Sequence, residues 1–140
     1  MRASDVDGLV DLALALWPGH SRVELATEFA ALLDAGDAAV FGWQEEGRWE
    51  AFAQCQLRRD YVEGCETSPV GYLEGIFVRE PFRGRGVARA LLIECQAWAK
   101  EQGCREFASD CELSNEDSLR FHLATGFREA GRIICFTKRL

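Results

Sequence analysis

The sequence is poor in the residues that build metal centres and disulfide frameworks. It has two histidines and six cysteines in 140 residues, and no two cysteines form a Cys-x-x-Cys pair. The usual zinc spacings are therefore missing, so we expect no metal and interpret the cysteines as reduced and mostly core-filling. No stretch of about 18 uncharged apolar residues is present, which excludes a membrane-spanning helix and gives no reason to expect a membrane partner.

The sequence also lacks the pattern of a cleavable leader. Its first residues carry Asp5, Asp7 and Asp11 against one arginine, whereas signal and transit peptides are basic. With 48% apolar and 28% charged residues, the composition is that of an ordinary globular protein. The length fits one hydrophobic core, so we expect a single cytoplasmic domain over residues 1–140.

Charge is spread unevenly along the chain, whose net charge is −7. Residues 1–75 hold 5 Lys and Arg against 14 Asp and Glu, a balance of −9, whereas residues 76–140 hold 11 against 9, a balance of +2. The overall acidity argues against nucleic acid as the main partner. The acidic half suits a cationic ligand and the local basic excess suits an anion, although a solvated acidic surface would give the same balance.

Hydrophobic periodicity predicts the element order α-α-β-β-β-α-β-α-β. Helices are predicted over residues 5–17, 21–36, 87–103 and about 115–125. Strands are predicted over residues 38–44, 49–57, 70–78, 105–110 and 133–138. Gly71 and Gly75 inside the third strand indicate a bulge or a close backbone approach. A strand–helix–strand unit inside a mixed sheet predicts an α/β sandwich.

A basic, glycine-rich turn joins the strongest predicted strand to the third helix. It reads Arg83-Gly84-Arg85-Gly86-Val87-Ala88. A helix N-terminus presents free N–H groups, glycines let an anion approach the backbone, and arginines add positive charge. The turn is neither a Walker loop nor a dinucleotide G-x-G-x-x-G motif, because the residues that follow differ. It predicts a phosphate cradle or, in the simpler interpretation, a basic turn that caps a helix.

The same turn resembles the R/Q-x-x-G-x-G/A acetyl-coenzyme A motif of the GNAT acyltransferase superfamily. A second segment, from Asn115 to Gly126-Phe127, is similar to the family's N-x-x-A-x-x-x-Y-x-x-x-G-F pattern, with Ser118 at the alanine place and His122 at the tyrosine place. The resemblance implies the GNAT fold, an α/β architecture with a mixed, mostly antiparallel central sheet and helices on both faces.

Five shorter segments resemble one branch of that superfamily, the aminoglycoside 6′-N-acetyltransferases. They lie at residues 16–20, 60–64, 67–70, 73–78 and 108–110. The resemblance implies acetyl transfer from acetyl-coenzyme A, as co-substrate, to the 6′-amine of an aminoglycoside antibiotic, and so antibiotic resistance. The alternative is a GNAT enzyme that acts on another small amine, a polyamine or a peptide N-terminus. Relatives of this branch tend to be dimers, and the predicted strand 133–138 could pair across subunits, so we expect a homodimer.

The resemblance also implies which residues bind the co-substrate. The backbone of Ile76, Phe77 and Val78 is expected to bind the pantetheine amides and to polarise the thioester carbonyl. The residues expected to hold the pyrophosphate are Arg83, Gly84, Arg85, Gly86, Val87 and Ala88. Asn115 is expected to contact the cofactor near the pantetheine arm.

Two carboxylates suit the binding of a polycationic acceptor. Glu74 lies in the middle of the predicted strand 70–78 and Asp110 ends the next one, so both would face one cleft if the strands are parallel neighbours. Either could bind the 6′-ammonium or accept its proton, and we favour Asp110 as the base and Glu74 as a binder or water-positioner. The alternatives are an ion pair of Glu74 with an arginine and a turn or cap role for Asp110.

Further candidates come from the branch resemblance, which places Trp17, His20 and Tyr61 on the sugar side. In the simpler interpretation, Trp17 is a core residue and His20 is a loop histidine. His122 stands where many relatives have a tyrosine that can protonate the leaving thiolate, so it either takes over that role or packs on its helix. The family usually opens with a full strand, yet only residues 1–4 precede the first helix here, so that strand is expected to be short or missing.

Overall fold

Four strands form the central sheet in the computed structural model, which describes residues 1–140. They are β1 (Ala38–Glu45), β2 (Arg48–Arg58), β3 (Val70–Val78) and β4 (Phe107–Ser109), and they lie in that order across the sheet. The pairs β1–β2 and β2–β3 are antiparallel, whereas β3–β4 is parallel. The expectation of a mixed, mostly antiparallel sheet is confirmed.

Four α-helices cover the two faces of this sheet. They are α1 (Val6–Leu16), α2 (Arg22–Ala35), α3 (Val87–Glu101) and α4 (Glu116–Ala124). Helices α1 and α2 pack on one face around the buried Phe52 and Val40. Helix α3 packs on the other face around Ala53 and Cys55, and Phe121 of α4 packs against the same cluster. No helix of the fold has the length and apolar character that a membrane crossing requires.

Local sequence signals explain where two of these elements begin and end. Ser21 accepts a hydrogen bond from the Glu24 backbone N–H at 3.1 Å, and the Glu24 carboxylate accepts one from the Ser21 N–H at 3.4 Å, so the predicted capping box starts α2. Gly36 ends that helix with φ +77°. Glu46 and Gly47 both have positive φ in the tight turn between β1 and β2, as the predicted hairpin requires.

An extra residue in β3 shifts its register with β2. Leu73 lies opposite Cys55 and Gly75 lies opposite Gln54, so Glu74 has no partner on β2. Such a bulge bends a strand and redirects a side chain. Gly75 is required beside it, because a Cβ there would lie 2.6 Å from the Trp17 ring. The bulge and the close approach indicated by the glycines of this strand are both present.

The strands β3 and β4 separate soon after they pair. Only residues 71–73 of β3 pair with residues 107–109 of β4, although β3 continues to Val78. From Glu74 onward, the edge of β3 that faces β4 therefore has no strand against it. Its backbone groups are available to another partner.

The closing strand expected over residues 133–138 is wrong. Residues 128–140, which we call the C-terminal arm, form no regular secondary structure. Ile133, Ile134 and Phe136 are 80%, 82% and 91% exposed. A strand needs a neighbour for its N–H and C=O groups, and no strand of this chain lies beside the arm.

One other strand is shorter than expected, and the first strand of the family is missing as expected. The strand predicted over residues 105–110 is shorter, because only Phe107–Ser109 pair with β3. No strand precedes α1, where residues 3–5 form a single 3₁₀ turn. The expectation that the family's first strand is short or missing is therefore confirmed.

Candidate active site

A cavity of about 300 Å³ lies where α1 and α2 meet the middle of the sheet, and we call it the helix–sheet cavity. Its polar lining comprises His20, Glu28, Gln54 and Glu74, and Trp17 supplies an aromatic wall. The structure thus brings together three of the residues that the sequence analysis singled out, namely Trp17, His20 and Glu74. The Trp17 ring also packs edge-on against Phe52, with 6.0 Å between centroids, so it is both a wall of the cavity and part of the core.

Glu74 reaches the cavity from the β3 bulge and forms an ion pair with Arg58 at the end of β2. The Arg58 guanidinium donates through Nη2 to both carboxylate oxygens, at 2.9 and 3.0 Å, and through Nε to Oε1 at 3.0 Å. Burial raises the pKa of Glu74, while the hydrogen bonds and charge of Arg58 oppose that rise and the charge of Asp110 adds to it. The pairing with an arginine that the sequence left open for Glu74 is therefore present.

Asp110 is joined to the same group of side chains through Tyr72. The Tyr72 hydroxyl donates a hydrogen bond to Oδ2 of Asp110, and the Arg58 guanidinium lies 3.4 Å above the centre of the Tyr72 ring. Burial and the neighbouring Asp110 carboxylate raise the pKa of Tyr72, so the phenol remains a donor. Asp110, Tyr72, Arg58 and Glu74 form one continuous set of contacts, which we call the carboxylate network.

The two carboxylates of this network differ in what they can still do. Both oxygens of Glu74 are occupied by Arg58, and its charge is balanced there. Asp110 is exposed and uses only Oδ2 within the protein, so its Oδ1 is available to a ligand or a water. Asp110 therefore has the better geometry for accepting a proton, whereas Glu74 is held in place as a binding group.

The glycine-rich turn lies at the N-terminus of α3. Gly84 and Gly86 have φ +74° and +80°, and a Cβ at either position would meet nothing within 4 Å, so these glycines are required by backbone conformation rather than by close packing. The first helical hydrogen bond runs from the Ala90 N–H to the Gly86 carbonyl, and no side chain caps the helix. The N–H groups of Val87 and Ala88 are thus left for an anion.

Three of the four arginines around this turn have no acidic partner. Arg79 pairs with the buried Glu50 at 3.2 Å, whereas no carboxylate lies within 4.0 Å of Arg83, Arg85 or Arg89. The Arg83 Nε donates to the Val78 carbonyl at 2.8 Å, which ties the turn to the end of β3. The turn therefore presents uncompensated positive charge next to free N–H groups, and these residues fit a pyrophosphate.

The His122 ring is bound at both nitrogens. Its Nδ1 lies 2.7 Å from the Ser118 carbonyl, and its Nε2 lies 2.8 Å from the hydroxyl of Ser109 at the end of β4. Since a carbonyl only accepts, Nδ1 carries the proton and Nε2 faces the serine. Ser109 also lies 3.2 Å from the Leu73 carbonyl, at the point where β3 and β4 separate. His122 also packs against Phe127, with ring centroids 5.0 Å apart.

Two predicted site residues have other positions or partners in the structure. Tyr61 is 79% exposed on the loop before β3, with its hydroxyl 3.5 Å from Glu63, and it does not line the cavity. The Asn115 side chain accepts a hydrogen bond from the Ser118 N–H and caps α4. No group of three or more His, Cys, Asp or Glu side chains could hold a metal ion.

Sequence reasoning missed Arg58, Tyr72, Gln54 and Glu28. Alternation along two paired strands could have placed Arg58 and Tyr72 on one face. The contact of Arg58 with Glu74, however, depends on the strand register, which the bulge changes by one residue. Glu28 on α2 and Gln54 on β2 line one cavity only because α1 and α2 pack together on this face of the sheet.

Comparison with known proteins agrees with this geometry. The acetyltransferase (GNAT) family model matches residues 6–127. An aminoglycoside N(6′)-acetyltransferase type 1 from Serratia marcescens is 42% identical over 97% of this chain and 94% of its own. The counterpart from Salmonella typhimurium is 41% identical over 99% of this chain and 96% of its own. A solved structure of AAC(6′)-Iy with the bisubstrate analogue CoA-S-monomethyl-acetylneamine has a TM-score of 0.95 and 40% identity, and covers 100% of this chain and 95% of that one.

Replacing Arg58 by methionine should raise the pKa of Glu74 further. Arg58 is the group that lowers this pKa, so without it burial and the Asp110 charge act unopposed. The side-chain carboxyl carbon of Glu74, followed by NMR across a pH titration, should show the shift. Arg59→Met is the matched control, because Arg59 pairs instead with Asp37 at the surface, 3.2 Å away. An unchanged Glu74 titration in Arg58→Met would show that this ion pair does not set its pKa.

Proposed function

The chain belongs to the acetyltransferase (GNAT) family, and from that premise we propose that it transfers the acetyl group of acetyl-coenzyme A to the 6′-amine of aminoglycosides, which gives resistance to these antibiotics. One observation carries the proposal. The carboxylate network lies beside the unpaired edge of β3, and that edge leads to the uncompensated basic turn at the N-terminus of α3. One surface thus offers a site for a cationic amine, a site for a thioester arm and a site for a diphosphate.

The co-substrate fits the basic side of this surface. The N–H groups of Val87 and Ala88, with Arg83 and Arg85, would hold the pyrophosphate, and Gly84 and Gly86 let it approach. The edge of residues 76–78 that faces away from β2 would bind the pantetheine amides, as an added strand binds a sheet edge. A cytoplasmic location belongs to the proposal, because acetyl-coenzyme A is a metabolite of the cell interior.

The acceptor fits the acidic side. An aminoglycoside is a polycation with many hydroxyls, and the helix–sheet cavity has two carboxylates, Glu28 and Glu74, beside the Trp17 ring. Asp110 lies at the mouth of the gap between β3 and β4. A sugar ring against Trp17 would bring an exocyclic amine between the cavity and this gap.

The proposed reaction starts with a proton transfer. Asp110 Oδ1 accepts a proton from the 6′-ammonium, directly or through a water, and Glu74 holds the acceptor or that water. The neutral nitrogen attacks the acetyl carbonyl carbon, a C–N bond forms, and the C–S bond breaks. The N–H groups of Ile76 and Val78 face the open edge of β3, since Phe77 and Arg79 face β2, and either can stabilise the oxyanion. One such donor contributes roughly 2.7–4 kcal/mol in other enzymes.

The thiolate that leaves takes up a proton to become coenzyme A. His122 is the candidate donor, and its position supports a route through Ser109, since Nε2 contacts that hydroxyl rather than open space. This route needs the imidazolium form of His122: the Ser109 hydroxyl gives its proton to the thiolate and takes one from Nε2, while Nδ1 keeps the proton that it donates to the Ser118 carbonyl. A thiol has a pKa of roughly 8.5, so this help is less critical than the removal of the amine proton.

Acetyl transfer should be seen as thiol release from acetyl-coenzyme A with a 6′-amino aminoglycoside and should be absent with its 6′-hydroxy analogue.

Asp110→Asn should lower kcat/KM by at least about 100-fold, the lower end for loss of a general base. Glu74→Gln should weaken acceptor binding and raise KM. Asp37→Asn, a surface carboxylate paired with Arg59, should change neither constant. Activity confined to polyamines or peptides would exclude the proposed acceptor, and wild-type kinetics in both site variants would remove the proposed roles.

Coenzyme A affinity should depend on Gly86 and not on the glycine at the other end of α3. An alanine at positive φ costs roughly 1–2 kcal/mol, so in Gly86→Ala the free turn should relax to another conformation. Coenzyme A would then have to restore the strained conformation on binding, which should weaken its affinity about 5- to 30-fold. Gly103 has φ +89° and open space around it, which makes Gly103→Ala a matched control. Calorimetry with coenzyme A measures both, and equal affinities for the two variants would refute the cradle.

We infer further that the chain forms a homodimer through its C-terminal arm. The arm carries three large apolar side chains, Ile133, Ile134 and Phe136, that are at least 80% exposed. Its sequence favours a strand, and the sheet ends in an edge at β4. A second copy would supply both the strand partner and the apolar cover that a single chain lacks.

Light scattering after size exclusion should give twice the mass of 15.7 kDa for the wild-type protein. Phe136→Asp and Ile134→Asp should each shift the protein to a monomer, because a charge would have to be buried at the interface. Val23→Asp, at an apolar residue of α2 that is 75% exposed, should leave the dimer intact. A monomeric wild-type protein would refute this inference.

A further inference from the structure

Gln54 is almost fully buried and has no partner in the protein. It is 8% exposed and lies on β2 opposite Gly75, next to the bulge that carries Glu74. No protein group forms a hydrogen bond with its carboxamide. Because no buried polar side-chain atom is both enclosed and unpartnered, this amide opens into the helix–sheet cavity that it lines.

A position of this kind favours an apolar residue on stability grounds. Phe52, two residues earlier on the same face of β2, is fully buried among apolar side chains of α1 and α2. An amide that lines a cavity without a protein hydrogen bond contributes less to the stability of the fold than an apolar side chain of the same size would. Its hydrogen-bonding groups remain available to a ligand that enters the cavity.

The chemistry of the amide differs from that of its neighbours. Glu28 and Glu74 are acceptors when ionised and suit ammonium groups, whereas a carboxamide both donates and accepts and so matches a hydroxyl. The rings of an aminoglycoside carry both kinds of group. We propose that the Gln54 carboxamide hydrogen-bonds a ring hydroxyl near the reacting amine and thereby selects acceptors by their hydroxylation. This inference rests on the proposed function and adds a specificity-determining residue to it.

A cycle that combines one substitution with substrate analogues tests the contact. Gln54→Met keeps the shape of the side chain and removes the amide. It should lower kcat/KM roughly 3- to 10-fold for a fully hydroxylated 6′-amino aminoglycoside, the range for one neutral hydrogen bond. For the monodeoxy analogue that lacks the contacted hydroxyl, wild type and variant should have equal kcat/KM. The melting temperature should stay the same or rise, since no protein hydrogen bond is lost.

Gln56→Met provides the control, because Gln56 lies two residues further along the same strand and does not line the helix–sheet cavity. It should leave kcat/KM unchanged for every analogue. An equal loss across all analogues, no loss at all, or a lower melting temperature in Gln54→Met would overturn the role of Gln54 while leaving acetyl transfer intact. A wild-type protein that acetylates no aminoglycoside would instead refute the proposed function, and this inference with it.

Discussion

The strands β3 and β4 pair over three residues and then separate, and the candidate site is built on that separation. A fully paired β3 would offer no free N–H or C=O group beyond Leu73. Because the strands diverge, residues 74–78 keep one edge that no strand covers, and Asp110 follows β4 at the mouth of the gap. The bulge at Glu74 adds to this geometry, since it turns a carboxylate toward α1 and α2 just where pairing with β4 stops. Backbone geometry therefore decides where chemistry is available before any side chain is considered.

Charge pairing then divides the site into two halves. The acidic first half of the chain does not act as a uniform attractor, because Arg58 balances Glu74 while Asp110 and Glu28 have no basic partner. On the other side, Arg79 is balanced by Glu50, while Arg83, Arg85 and Arg89 have no carboxylate nearby. Pairing fixes the positions of Glu74 and Arg79, whereas the unpaired groups present their full charge to ligands. A count of charges in each half of the chain suggests this division, but only the pairing identifies the free members.

Much of the fold could be predicted, because its signals are local. The capping box at Ser21, the hairpin turn at Gly47 and the apolar run over residues 70–78 each depend on a few neighbouring residues. The site was only partly predictable, because the contacts of Glu74 depend on the register of β2 against β3. A bulge changes that register by one residue. The error at residues 133–138 has the same origin, since strand propensity indicates what a segment can form and not whether a neighbouring strand exists.

Three groups in this chain are left without the partner that their chemistry requires. The turn before α3 has free N–H groups and unpaired arginines, the Gln54 amide opens into the helix–sheet cavity without a protein hydrogen bond, and the C-terminal arm exposes large apolar side chains. Natural sequences are mostly consistent at every level, so such departures mark the places where a fold gives up stability for a function. Each group calls for a different complement, namely a diphosphate, a hydroxylated amine and a second copy of the chain. The three complements are compatible with one enzyme, because they occupy the N-terminus of α3, the cavity beneath α1 and α2, and the arm.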